Sequence, residues 1–334
     1  MTNPSPPSPP GPASPIRRPT RDGVLRAAAK IADILPQTPV LPLDVNGVTI
    51  WCKVESLQPV GAFKIRGAWH RMSDLSPEER ARGVVAVSSG NHAQGVAWAA
   101  RRLGVAATIV MPSDAPGVKL EATRALGAQI VLYERMRESR DAIAADLCAK
   151  SGAVLVHAYG DPWVIEGQGS AGIELAAQME ARAGGAPTRI VCPCGGGGLT
   201  AGLALACPDV EVVPVEPEGW DDVARSLAAG HILPLDANPP PTACDALQTP
   251  VTFPVNFEVM TTRGLHGVTV SEADVRAAQR LAFAKLRLVI EPGGAAALAA
   301  VLAGKVPADG RTAVLLSGGN VDPDSFLHVI ASSG

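Results

Sequence analysis

Lys64 stands between two apolar side chains in Gly61-Ala62-Phe63-Lys64-Ile65-Arg66-Gly67-Ala68. A strand-like run, Val48 to Val54, precedes it, and the turn residues Gln58, Pro59 and Gly61 lie between. Apolar spacing at Ile65, Ala68, Trp69 and Met72 predicts a helix that starts at the lysine. In that position the side chain is partly stripped of water. Desolvation disfavours the ammonium and leaves a nucleophilic amine, which is what a Schiff-base lysine needs. Taken alone, Ala-Phe-Lys reads as an ordinary surface lysine opening an amphipathic helix. Three further segments change that reading.

Gly195-Gly196-Gly197-Gly198 follows a strand and precedes a helix, so backbone N–H groups and the positive end of the helix dipole converge on an anion, most naturally a phosphate. The same window offers a rival. Gly196-x-Gly198-x-x-Ala201 fits a dinucleotide fingerprint, with Glu216 about 20 residues on as the ribose-binding acid. Ser88-Ser89-Gly90-Asn91-His92 occupies a second strand-to-helix junction and forms a carboxylate-sized pocket, although Ser89 or Asn91 alone would read as a helix cap. Ser317-Gly318-Gly319-Asn320 closes a third strand with a hydroxyl. Glu216-Pro-Glu-Gly-Trp220-Asp221-Asp222 groups carboxylates that suit a hard cation such as Mg²⁺ or Ca²⁺, and reads equally as a solvated acidic loop. His157 and His266 have no identifiable partners and read as structural.

The elements that must position these residues alternate. After a helix from Val24 to Leu35 and an extended Val40 to Leu43, strands are predicted at Val84–Val87, Ala106–Met111 and Ile130–Leu132. Helices at 93–103, 116–126 and 139–150 separate them, and Pro77 to Gly83 reads as a polar connector. Further strands are predicted at Ile190–Cys192, Glu211–Val215 and Ala313–Leu316, with Ser271-Glu272-Ala273-Asp274 capping a helix. This alternation predicts parallel sheets with helices on both faces. The three loops then lie at the carboxyl ends of strands, where open α/β sheets place ligands. A lysine nucleophile, a phosphate cradle, a carboxylate pocket and a lone hydroxyl are all explained by pyridoxal 5'-phosphate held as a lysine imine. A nicotinamide cofactor leaves Lys64 and the Ser88–His92 loop without roles.

Composition narrows the class. A chain of 334 residues, 47% apolar and poor in aromatics, can build a large α/β core. A net charge of −3 gives no footprint for nucleic acid or a charged membrane. Its longest apolar run, Gly293 to Gly304, falls short of the ~20 residues needed to span a bilayer. The six cysteines form no metal or disulfide pattern and predict reduced thiols in the cytoplasm. Residues 1–19, with eight prolines, read as a disordered tail and not a signal peptide.

The motifs around Lys64, Ser88-Ser-Gly-Asn-His-Ala-Gln-Gly95, Gly195 to Gly198, Glu291-Pro-Gly-Gly and Ser317-Gly-Gly-Asn strongly resemble those of the serine/threonine dehydratase and serine racemase family, fold-type II pyridoxal-phosphate enzymes. The likeness runs from about Thr20 to Val321. It implies two open, mostly parallel α/β domains with the cofactor cleft between them, as in the tryptophan synthase β fold. Residues 20–80 plus 159–334 would form the large domain and 81–158 the small one. By the same resemblance Lys64 holds the cofactor and acts as the base at Cα, Phe63 packs on its ring, and Gly195 to Gly198 hold its phosphate. Asn91 bonds its phenolic oxygen and Ser317 meets its pyridine nitrogen. Ser88, Gly90 and His92 line the substrate carboxylate pocket, and Ser89 matches the opposite-face base of racemases. Glu216, the Trp220 carbonyl and Asp222 match a divalent-cation site. Ala62 departs from the serine often found before Phe-Lys, and the connection from Cys244 to Phe253 is shorter than usual. No regulatory domain follows Ser317, unlike isoleucine-inhibited biosynthetic members. The implied activity is β-elimination of L-threonine or L-serine by a homodimer, with serine racemisation and hydroxyaspartate dehydration as alternatives and a nicotinamide oxidoreductase as the distant one.

Overall fold

The computed structural model describes residues 17–331, apart from 116, 135 and 136. Most of the expected Pro-rich tail therefore lies outside the described residues. Ten strands build two sheets: β1 (Val40–Val45), β2 (Val48–Val54), β3 (Val84–Val87), β4 (Ala107–Pro112), β5 (Gln129–Tyr133), β6 (Val154–Leu155), β7 (Arg189–Pro193), β8 (Glu211–Pro217), β9 (Val268–Val270) and β10 (Thr312–Leu316). One sheet runs β1-β2-β10-β7-β8-β9 and the other β5-β4-β3-β6. Every pairing is parallel except the β1–β2 hairpin. This is the expected α/β class with two open sheets. The β3 run Val-Val-Ala-Val and the wholly buried β10 carry apolar residues on both faces, as sheets covered by helices on each side require.

Two differences from the sequence reading have local causes. Residues Pro77–Arg82 are a helix, not a connector: Ser76 and Glu79 cap it reciprocally and proline opens it. None of its residues is buried, so it carries no apolar period to read. The first helix spans Arg21–Ala32, three residues earlier than Val24–Leu35, because the Thr20 side chain accepts from the Gly23 N–H and starts it there.

A 22-residue helix absent from the sequence reading, Pro162–Ala183, ties the site together. Asp161 caps it, with proline at its first turn. Along its length it meets two other helices through backbone. A Cβ on Gly167 would lie 2.6 Å from the Cα of Gly67 in the Lys64–Ser73 helix. A Cβ on Gly202, in the Gly198–Ala206 helix, would lie 2.4 Å from the Ile165 carbonyl. Only glycines permit both approaches, so one helix sets the distance between the lysine and the glycine loop. The core of the six-stranded sheet is closed by the Pro292–Leu302 helix, whose residues from Gly293 to Val301 are all buried.

Candidate active site

Lys64 begins the Lys64–Ser73 helix immediately after a sharp chain reversal. Gly61 adopts φ +71°, Ala62 bridges to Gly318, and the Phe63 N–H donates to the Ser317 carbonyl at 3.1 Å. These bonds join the lysine segment to the loop after β10. The Lys64 side chain is half-buried and its Nζ donates to the Ala158 carbonyl at 2.9 Å. No carboxylate pairs with it among the described residues, and burial lowers its pKa to about 8.

In front of this amine opens a cavity of about 480 Å³. Phe63, Lys64, Ser88 to His92, Gly195 to Gly198 and Ser317 all line it, so the structure gathers every cofactor and substrate candidate of the sequence reading into one space. Glu216, Trp220 and Asp222 lie outside it.

The glycine loop is shaped for an anion. Gly197 has φ +88°, and a Cβ on Gly196 would strike the Tyr159 ring at 2.2 Å. Thr252 Oγ1 and Asn256 Nδ2 donate to the Gly196 carbonyl at 3.1 and 2.6 Å, which holds that peptide oxygen away from the cavity. The Gly198–Ala206 helix starts here, and its first-turn N–H groups have no intrahelical acceptors. A phosphate dianion fits this cradle.

Opposite, the Asn91 amide is locked. Its Nδ2 donates to Glu291 Oε1 at 2.6 Å, and its Oδ1 accepts from Asn320 Nδ2 at 2.8 Å. Asn320 is itself anchored on the Val60 carbonyl. One Asn91 N–H is left for a ligand. Glu291, quoted in the sequence only as part of a motif, is thus a site residue. Its carboxyl is raised to about 7 by burial and by Asp245, against donation from Asn91.

Ser88 Oγ accepts from the Gly90 N–H at 3.1 Å and shapes the turn. His92 reaches the wall of the cavity, but its Nε2–H is spent on the Val156 carbonyl at 2.8 Å. Burial and the nearby Lys64 lower its pKa to about 3, so it is neutral.

A fourth loop, residues 156–160 after β6, also faces the cavity, and sequence reasoning missed it. It supplies the carbonyls that hold Lys64 and His92, the Tyr159 ring on the glycine loop, and His157. Its signal was a short one: a histidine following a two-residue strand.

The acidic loop after β8 does something local. Glu216 accepts from the Val223 and Ala224 N–H groups at 3.1 and 2.7 Å, capping the Asp222–Ala229 helix. A ribose-binding acid would instead face the cavity, so the nicotinamide reading loses its second element. Asp222 is buried, and burial raises that carboxyl to about 7 against weak donation from the Thr252 backbone. Both Glu216 oxygens are occupied by the Val223 and Ala224 N–H groups, which leaves the Asp222 carboxylate and the Trp220 carbonyl as the candidate donors for a hard cation. Among the described residues no group of three or more His, Cys, Asp or Glu could hold a metal. No described helix is long and apolar enough to cross a membrane.

Comparison with known proteins agrees with this geometry. Residues 31–318 match the family of pyridoxal-phosphate dependent enzymes. The chain is 38% identical over 322 residues to L-threo-3-hydroxyaspartate ammonia-lyase of Saccharomyces cerevisiae, covering 94% of this chain and 97% of that one. It is 35% identical to the serine racemase of Schizosaccharomyces pombe, covering 94% and 98%. Among solved structures, the threonine deaminase of T.th. superposes with a TM-score of 0.82 at 42% identity, covering 91% of this chain and 99% of that one. With a lysine amine, an anion cradle and a donor amide meeting in one cleft, the chain belongs to the pyridoxal-phosphate dependent enzymes, in the fold-type II group of ammonia-lyases and racemases.

Proposed function

We propose that the protein catalyses β-elimination of L-threonine or L-serine, giving a 2-oxo acid and ammonia. The observation that carries this reading is an unpaired lysine amine, lowered to about 8, sharing one cavity with a glycine phosphate cradle. Pyridoxal 5'-phosphate, once bound, supplies an electron sink for the pair released at the substrate Cα. Lys64 would hold it covalently, the N–H groups of Gly195 to Gly198 its phosphate, Phe63 its ring face, and the free Asn91 N–H its phenolic oxygen. Ser317 would meet its ring nitrogen; an uncharged hydroxyl does not hold that nitrogen protonated, which favours loss of a β-substituent over transamination. Ser88 and Gly90 would orient the substrate carboxylate, with His92 as a wall. The Lys64 amine would take the Cα proton, and the β-hydroxyl would leave as water.

A second reading has its own observation. Lys119 and Arg140 also line the cavity, each beside an acid, Asp245 and Asp141, whose place a second substrate carboxylate would take. This supports 3-hydroxyaspartate as the substrate, in line with the ammonia-lyase named above. Ser89 lines the same cavity and leaves racemisation open as a side activity.

The β3–β6 sheet supports residues 81–158 as a small domain, with 20–80 and 159–334 as the large one. A homodimer and a Mg²⁺ or Ca²⁺ ion on Asp222 and the Trp220 carbonyl complete the proposal. Six free cysteines support a cytoplasmic setting. The test is ammonia and 2-oxo acid release from L-threonine, L-serine and L-threo-3-hydroxyaspartate, with D-serine measured in parallel. Release from the first two sustains the main reading, release from the third alone replaces it with the second, and D-serine without 2-oxo acid overturns both.

A further inference from the structure

His157 has a fixed tautomer. Its Nδ1 accepts from the backbone N–H groups of Gly160 at 2.9 Å and Tyr159 at 3.3 Å. A ring nitrogen that accepts two N–H bonds carries no proton, so the ring proton is on Nε2. The ring plane is held too: Tyr159 packs against it edge-on with centroids 4.6 Å apart, and Phe253 lies at 4.7 Å on a tilt. The imidazole lines the cavity, and among the described residues nothing accepts from Nε2. The charged groups that face it are Lys64 from the Lys64–Ser73 helix and Asp141 and Arg140 from the Arg140–Ser151 helix. Burial lowers its pKa to about 4, with Asp141 opposing and Lys64 and Arg140 adding, so the ring is neutral at working pH.

We infer that His157 is a catalytic hydrogen-bond donor: its Nε2–H holds the departing β-oxygen of the substrate. The inference rests on the elimination reading above. Neutral imidazole gives up Nε2–H only by becoming an anion, so the residue lends its hydrogen and keeps it. The Cβ–O bond breaks with its electron pair going to oxygen, and the proton removed from Cα by Lys64 balances the hydroxide as water. His157 ends as it began. A fixed donor aimed where negative charge develops is the arrangement that lowers such a barrier.

The test compares leaving groups. In His157→Leu, kcat/KM for L-serine should fall about 10²-fold, the size expected for losing one preorganised donor. With β-chloro-L-alanine, whose chloride needs little donation, the fall should stay within about threefold on the same argument. His157→Gln, which keeps an N–H, should recover most of the loss with L-serine. Equal losses on both substrates, or a Gln variant no better than Leu, would overturn the role. A readout independent of turnover is ¹⁵N NMR of histidine-labelled protein, with the His157 signals identified by their absence in His157→Gln. The expected spectrum is an Nε2-protonated neutral ring that does not titrate from pH 5 to 8; an Nδ1–H tautomer or titration in that range would overturn it. If the wild-type protein eliminates neither substrate, the elimination reading itself fails, and the tautomer measurement still judges the geometry.

Discussion

Lys64 and Arg66 lie two residues apart on one helix and meet opposite surroundings. Arg66 is 1% exposed and bonds Glu55 twice, at 2.7 and 2.8 Å, with Glu174 at 2.8 Å and Ser170 at 3.3 Å. Lys53 joins the same buried network through Glu174, Gln178 and the Thr38 carbonyl. Burial alone would lower the Arg66 pKa, but the two carboxylates raise it above its ordinary value. Lys64 has one neutral carbonyl and an open cavity, and its pKa falls to about 8. Arg66, held by two carboxylates, keeps its proton and anchors the fold, whereas at Lys53 burial outweighs the same carboxylates and lowers the pKa. Lys64, given only a carbonyl, loses its hold on the proton and becomes reactive. One helix turn therefore carries an anchor on one side and a nucleophile on the other.

Substitution at the two positions should separate these roles. Lys64→Ala should lower turnover by about 10³-fold or more, since it removes both nucleophile and base, and abolish the visible band formed with pyridoxal phosphate. Measured on both proteins without the cofactor, its melting temperature should stay close to that of the wild type, because no ion pair is lost. Borohydride fixation followed by peptide mapping checks the attachment point. Arg66→Ala should do the reverse. Leaving Glu55 buried without its partner costs about 3–5 kcal/mol, read as a large drop in melting temperature, while the cavity residues are untouched. A Lys64→Ala protein that unfolds, or an Arg66→Ala protein as stable as wild type, would break the comparison.

The anchor was far less legible in the sequence than the nucleophile. Phe63-Lys64, the Ser88–His92 loop and the glycine run announce themselves because short motifs and strand ends carry them, and β2 and β3 match their apolar runs residue for residue. Arg66 depends on Glu174, 108 residues away, in a helix whose Gly167, Gly169 and Gly172 interrupt any helical signal. Likewise, Asn91 and Glu291 are 200 residues apart, one following a strand of the four-stranded sheet and the other at the N-cap of the Pro292–Leu302 helix, so no local pattern pairs them. His157 reads as structural in the sequence because its tautomer is set by backbone N–H groups, which no side-chain pattern encodes. The acidic loop hides its contacts in the same way: Glu216 looks free until its helix folds back onto it.

The carboxyls repeat the contrast on a smaller scale. Burial alone would raise Glu55, but Arg66 and Lys53 hold it below its ordinary value, whereas at Glu291 burial and Asp245 outweigh Asn91 and Lys119 and the carboxyl rises to about 7. Folded Glu291 therefore binds its proton more tightly than the unfolded chain, whose glutamate titrates near 4.3. As pH climbs between those two values the folded state loses its advantage, so this group lowers stability progressively until about pH 7. Glu291→Gln keeps an acceptor for the Asn91 amide but cannot ionise. Relative to wild type, its stability should rise from pH 4.5 to 7 and level off above, with no relative gain at lower pH. Activity should fall by less than about tenfold, the loss of one modest charge-assisted bond. Wild-type activity should fall below pH 7, because a protonated Glu291 accepts less well from Asn91, and that fall should vanish in the variant. Melting curves at pH 5 and 8 with a kcat/KM profile test both statements. If the limb near pH 7 persists in Glu291→Gln, its source is another group, the Lys64 amine at about 8 within the cavity or the Asp222 carboxyl at about 7 outside it, and Asp222→Asn separates the two.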